Sequence, residues 1–186
     1  MIVLRLKNRR EVHLVGTMNI PLPISAVWGQ MRCFTEFVGL DPFHGPIRTS
    51  DGSPADSAGK IIILGHRFGP LHLDRIGKIL LWKEGVGYSF SDLSRGGNHA
   101  GFPHVFTYKL SGRNVGICRL TIIVRGEWTA TFLPSILIRR WLIWVLGHTM
   151  HTVRNRLLAI ALIQKDGFAQ GHDESKVFLK SDSPGK

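Results

Sequence analysis

The feature that most constrains this chain is a run of strand-length segments separated by breaks too short to hold a crossover helix. The candidates are Ile47–Ser50, Lys60–Arg67, Leu71–Trp82, Gly87–Asp92, His104–Ser111 and Val115–Trp128. Between them stand Gly-Pro, Glu-Gly, Gly-Gly and Ser-Gly breaks, which are hairpin punctuation. Parallel neighbours need a dozen or more connecting residues, so a sheet built from these segments is mostly antiparallel. The last segment has the clearest alternation. Cys118, Leu120, Ile122, Val124 and Trp128 fall on one side and Arg119, Thr121, Arg125 and Glu127 on the other, giving one dry face and one solvated face.

The dry face needs a cover, and the chain after Pro134 supplies it. Ser135 to about Lys165 reads as one long helix, with Leu142, Leu146, Met150, Val153, Leu157 and Ile160 or Ala161 on a continuous stripe. Before the strand run, Glu11–Ile20 reads as a further strand ending at Pro21-Leu22-Pro23. A helix then begins near Ser25, a candidate cap, and carries Val27, Trp28, Met31 and Phe34 at helical spacing until Gly39 and Pro42 stop it. Residues 166–186 are polar and Gly/Ser-rich and read as a flexible tail, and residues 1–10 as a basic N-terminal segment.

Composition narrows the class. The 186 residues carry 24 Lys and Arg against 13 Asp and Glu, a formal charge of +11, yet 44% are hydrophobic. A chain of this length buries roughly 70% of its unfolded surface, enough for one core or a core with a cavity. Low charge density and high apolar content exclude wholesale disorder. No uncharged apolar run reaches the 18 residues of a membrane-spanning helix. The basic excess is diffuse, with fifteen Lys/Arg and four acids between Lys60 and Lys165, which suits either solubility or an acidic surface. Cys33 and Cys118 read as small buried hydrophobes rather than a disulfide framework. The N-terminus lacks a signal-peptide pattern, so a cytoplasmic location, peripheral to a membrane at most, is expected.

The order of these elements, with Ile20-Pro21-Leu22-Pro23-Ile24-Ser25-Ala26-Val27-Trp28, Phe37 through Pro42, Gly59-Lys60, Tyr88-Ser89-Phe90-Ser91, Thr121 to Trp128 and Asn155-Arg156-Leu157, resembles the START-like helix-grip (SRPBCC) superfamily. That superfamily includes polyketide cyclases and lipid-transfer domains. The resemblance spans residues 11–165. It implies an α+β fold in which a curved antiparallel sheet wraps a long C-terminal helix, with two short helices after the first strand and an elongated apolar cavity between sheet and helix. It also implies a hydrophobic, lipid-like or polycyclic small molecule as partner, with catalysis of the cyclase or dehydratase type as the alternative.

Candidate ligand contacts follow from strand parity and the helix stripe. Leu71, Leu73, Ile79 and Leu81 make an apolar set that also contains Arg75, a cation that needs a buried acid or an anionic ligand group. Tyr88 and Phe90 share a side, as do His104, Phe106 and Tyr108; phenol and imidazole tips among rings suit an orienting pocket. Leu120, Ile122, Val124 and Trp128 face them from the last strand, and Leu146, Met150 and Val153 from the helix.

No catalytic residue is assigned. His72 and Asp74 share a strand side, a pattern that more often marks solvent exposure than an acid/base pair. His148 and His151 have metal-compatible helical spacing but no third ligand in sequence, so neither metal nor cofactor is expected. Gly96-Gly97 is a loop and not a phosphate cradle.

The segment Phe132–Leu146 is apolar almost all round. Leu137, Trp141, Trp144 and Val145 project opposite the core stripe beside Arg139 and Arg140, which fits contact with an anionic membrane surface, a homodimer seam or burial on both faces. Nucleic acid is not an expected partner, because the charges are dispersed and no nucleic-acid module is recognisable.

Overall fold

A computed structural model describes residues 2–5, 11–41, 44–68, 71–93, 102–114, 116–129 and 135–170. The elements run β1 (Ile2–Arg5), β2 (Glu11–Ile20), α1 (Ile24–Met31), α2 (Phe34–Val38), β3 (His44–Thr49), β4 (Ile61–Phe68), β5 (Leu71–Lys83), β6 (Gly87–Leu93), β7 (His104–Asn114), β8 (Ile117–Glu127) and α3 (Ser135–Gln170). All eight strands form one antiparallel sheet in the order β1-β2-β8-β7-β6-β5-β4-β3. The meander β3 to β8 follows from the short breaks, and β2 closes on β8 across the chain. This is the architecture that the resemblance implies.

The concave face carries the predicted dry residues. Cys118, Leu120, Ile122 and Val124 of β8 are buried beside Val12, Leu14 and Ile20 of β2 and Phe106, Tyr108 and Leu110 of β7. Against this face lies α3, whose buried Ile138, Leu142, Leu146, Thr149, Val153 and Leu157 recur every three or four residues. Helix and sheet approach closely at Gly16, where a Cβ would collide with Met150 Sδ. The two short helices plug the other end of the sheet, burying Val27, Trp28 and Met31 from α1 and Phe34, Phe37 and Val38 from α2.

Several boundaries and faces differ from the sequence reading. Part of the basic N-terminal segment pairs with β2 as β1, and α3 continues to Gln170; the tail from residue 171, Lys7, Arg9, Arg10, Pro42, Gly96-Gly97 and residues 132–134 lie outside the described residues. Ser25 does not cap α1: the N-cap position is Pro23, with no side-chain cap bond, because the fixed proline geometry already sets the helix entry. Cys33 is exposed at the start of α2, whereas Cys118 is buried. On β5 the register shifts between Ile79 and Leu81, so Ile79 is buried while Leu80 and Leu81 both face outward, and the odd-numbered apolar set does not persist along the strand.

Candidate functional site

One row of concave-face positions carries half of the buried polar side chains among the described residues. Sheet register sets it: His44 on β3 is the partner of His66 on β4, and Asp92 on β6 is the partner of His104 on β7. Arg75 of β5 reaches into the gap between the pairs. All of these side chains are buried except Arg75, which is half-buried. His104 in turn faces Gly126 of β8, where any Cβ would strike the His104 Cβ and the Pro103 carbonyl, so a glycine there lets the two strands approach.

Asp92 is the hub. Its Oδ1 lies 2.5 Å from Arg75 Nε, and its Oδ2 lies 2.9 Å from His66 Nε2 and 3.6 Å from His104 Nε2. The Arg75 contact is that of an ion pair rather than an aligned hydrogen bond. Arg75 also donates through Nη2 to the carbonyls of Asp92 and Phe102, at 3.4 and 3.2 Å, which ties it to β6 and to the residues just before β7. Burial alone would raise the Asp92 pKa. The His66 hydrogen bond and the charges of His104, His66 and Arg75 outweigh it, and the carboxyl sits below its ordinary 3.8.

His104 behaves in the opposite sense. Burial pushes its pKa down to about 4, against the pull of Asp92 and of the Phe102 carbonyl. It is therefore neutral at neutral pH, and Arg75 is the standing positive partner of Asp92. Because the Phe102 carbonyl, 2.6 Å away, only accepts, the His104 proton is on Nδ1 and its Nε2 is a lone pair. A second polar group adjoins: Thr149 of α3 donates to Asp41 Oδ2 at 3.0 Å, and the same oxygen is 3.5 Å from His44 Nδ1.

These groups open onto a cavity of about 690 Å³ between α3 and the sheet. Its polar wall is Asp41, His44, His66, Arg75, His104 and Thr149. The rest is apolar: Leu14, Leu73, Phe102, Phe106, Val124 and Trp128 from the sheet side, and Leu137, Ile138, Trp141, Leu142, Val145 and Leu146 from the helix. Trp128 and Trp141 meet edge to face at 6.3 Å.

Of the ligand contacts expected from sequence, Arg75, His104, Phe106, Val124, Trp128 and Leu146 come together on this wall. Tyr88, Phe90, Tyr108, Leu120, Ile122, Met150 and Val153 do not. Tyr88, Phe90 and Tyr108 pack against Phe34, Phe37 and Trp28, because α1 and α2 fill that end of the grip. Burial raises the pKa of both phenols, Tyr88 and Tyr108, so both stay protonated. Leu120, Ile122 and Val153 lie in the closed core and Met150 packs against it.

Leu137 and Trp141, expected to point away from the core, instead line the cavity together with Val145, because the cavity lies against this end of α3. Arg139, Arg140 and Trp144 are exposed. His72 and Asp74 form no dyad: Asp74 pairs with Arg48 at 3.0 Å on the outer face. His148 stacks on Trp144, and His151 is exposed beside Asn155.

Sequence reasoning missed Asp41, His44, His66, Asp92 and Thr149. Parity offered a signal for two of them, since Asp92 continues the inward positions of Tyr88 and Phe90, and His66 those of Ile62 and Leu64.

No protein-family model matches the chain, and no curated protein matches it in sequence. Solved structures do match in shape. Ara h 8.0201 superposes with a TM-score of 0.61 at 12% identity, over 80% of this chain and 99% of that one. A START superfamily protein from Mycobacterium smegmatis gives 0.59 at 12% identity, over 81% and 99%. The Zhui aromatase/cyclase from Streptomyces sp. R1128 gives 0.61 at 11% identity, over 81% and 93%. At such identities the likeness is one of fold, and the fold of this chain is the START-like helix-grip.

Proposed function

We propose that this protein binds a hydrophobic small molecule, lipid-like or polycyclic, in the cavity between α3 and the sheet, and carries it from one site to another. The observation that supports this reading is a cavity of about 690 Å³ with an apolar wall and a single polar cluster on one side. That size lies within the ordinary range for small-molecule sites, and such walls give affinity while a few polar groups give orientation. A ligand burying about 200 Å² of apolar surface gains roughly 5 kcal/mol before the cost of its immobilisation. Arg75, His66 and His104 supply donors and an acceptor for its polar end.

Loading takes place at an anionic membrane surface in this reading. Ile136, Leu137 and Trp144 are 64%, 55% and 57% exposed beside Arg139 and Arg140, at the end of α3 that walls the cavity. No helix among the described residues is long and apolar enough to cross a membrane. Indole and guanidinium groups at a headgroup boundary match the composition of this helix start.

The test is native mass spectrometry of the full chain against its denatured mass, with Val124→Trp as the blocked control. A co-purifying apolar adduct that Val124→Trp abolishes is the expected result. Absence of any adduct, together with failure to take up an apolar fluorescent probe, overturns the reading.

A second reading is catalytic. Arg75 and His104 share the cavity, a cation able to polarise a carbonyl beside a neutral imidazole with a free Nε2. Turnover of a carbonyl-bearing polyketide-like chain, lost in His104→Gln with binding retained, would support the enzyme; binding without turnover supports the carrier.

A further inference from the structure

Three imidazoles and a carboxylate converge on one point of the cavity wall, and their hydrogen bonds fix which atoms they present. His66 Nδ1 is 3.3 Å from the Leu64 carbonyl and His104 Nδ1 is 2.6 Å from the Phe102 carbonyl. A carbonyl only accepts, so both rings carry a proton on Nδ1. Both Nε2 atoms face Asp92 Oδ2: that of His66 within hydrogen-bonding distance at 2.9 Å, and that of His104, a lone pair, at 3.6 Å. His44 is buried with neither ring nitrogen hydrogen-bonded, and its Nδ1 stands 3.5 Å from Asp41 Oδ2, which Thr149 holds in place. The two His44 nitrogens are thus unmatched polar atoms in a buried setting, where such atoms are costly.

We propose that His44, His66 and Asp92 bind a divalent transition-metal ion of the zinc type. One ligand atom from each lies within 4.8 Å of the other two. Metal–ligand bonds of 2.0–2.1 Å require separations of roughly 3.3 Å, so His66 and Asp92 are already spaced for an ion and His44 closes by a small side-chain movement. The donor set of two imidazoles and one carboxylate is borderline in softness, which suits zinc and its first-row neighbours and not calcium or magnesium.

The surroundings have the form that metal ligands need. Each histidine has its second nitrogen directed at a carbonyl or carboxylate: Leu64 for His66, Phe102 for His104 and Asp41 for His44. Arg75 on Asp92 Oδ1 holds the carboxylate and leaves Oδ2 for the ion. Two carboxylates, Asp41 and Asp92, adjoin the imidazoles against the one guanidinium of Arg75, which favours a cation. His44 and His66 both wall the cavity, so ion entry and further coordination come from that side. The site does not require that the cavity hold an apolar molecule.

The test titrates zinc chloride into the EDTA-stripped full chain. Expected are one equivalent bound per chain, a raised thermal midpoint, and binding weakened at least ~100-fold in His44→Gln. His72→Gln and His151→Gln, on the surface, are expected to bind as wild type. Should His44→Gln fail to fold, His66→Gln takes its place, and cobalt(II) bound to the wild-type chain gives a readout free of any variant: intense visible d–d bands from a four- or five-coordinate site. The proposal is overturned if stripped wild type takes up no stoichiometric zinc, if cobalt shows only the weak octahedral spectrum, or if uptake persists in His44→Gln and vanishes in His151→Gln.

Discussion

Asp92 on β6 reaches His66 on β4 across the intervening strand β5, with Oδ2 and Nε2 2.9 Å apart. Arg75, from the strand between them, holds the other carboxylate oxygen. Three strands are thereby joined by one carboxylate that is itself without solvent contact. Such a group is stable only while its partners remain, which makes this site both a functional wall and a structural commitment.

Removing Arg75 leaves Asp92 as a buried charge without its permanent counter-ion. Arg75→Met is expected to lower stability by about 3 kcal/mol, read as the shift in urea midpoint at unchanged slope. Arg75→Met combined with Asp92→Asn is expected to recover at least part of that loss. If the double variant is no more stable than the single one, the pair does not carry the energetic coupling assigned to it.

Acid sensitivity follows from His104 and Asp92 in metal-stripped protein. His104 moves from an ordinary 6.5 to about 4 on folding, so the folded state binds fewer protons in that window and stability falls as pH drops from 6.5 to 4. Asp92, below its ordinary 3.8, contributes stability that is present above 3.8 and lost as pH falls through its lower folded value. The His104 part amounts to at most about 1.4 kcal/mol per pH unit. Thermal melts from pH 7 to 4 check it, and His104→Phe is expected to flatten the slope above pH 4.

Tyr88 is buried among aromatic rings with no hydrogen-bond partner for its hydroxyl among the described residues. Tyr88→Phe removes a desolvated polar atom without leaving a cavity, and its stability is expected to stay within about 1 kcal/mol of wild type or rise. Ligand binding should be unchanged, because Tyr88 is not on the cavity wall. A large loss of binding in this variant would place the ligand at the α1/α2 end instead.

Gly16 tests the packing of α3 on the sheet. Gly16→Ala drives a methyl into Met150 Sδ, and overpacking of this kind costs about 1–3 kcal/mol. Met150→Ala in the same chain is expected to restore part of the loss, measured by chemical denaturation. Equal destabilisation with and without Met150 would show that α3 does not bear on β2 at this point.

The exposed start of α3 makes its own prediction. Arg139→Glu with Arg140→Glu is expected to abolish sedimentation with phosphatidylserine-containing vesicles and leave the circular dichroism spectrum intact. If wild type does not bind such vesicles and elutes as a dimer, the exposed Ile136, Leu137 and Trp144 belong to a seam between copies.

Period and punctuation determined most of the architecture. The two-residue alternation of Cys118–Val124 and the helical stripe from Leu142 to Leu157 each state which face is buried, and the short Gly-rich breaks impose antiparallel order. Those are local properties, carried by residues adjacent in the chain. What the tertiary structure decided is non-local. Strand register set His44 against His66 and Asp92 against His104, residues between 12 and 60 positions apart for any pair of the four. A bulge after Ile79 reversed the face of Leu81, and the packing of α1 and α2 turned Tyr88, Phe90 and Tyr108 from ligand contacts into core. The cavity at the start of α3 took in Leu137 and Trp141, which helical projection had placed away from the core. Alternation fixes the side on which a residue lies, but the partner it meets there depends on register and on which end of the grip is filled.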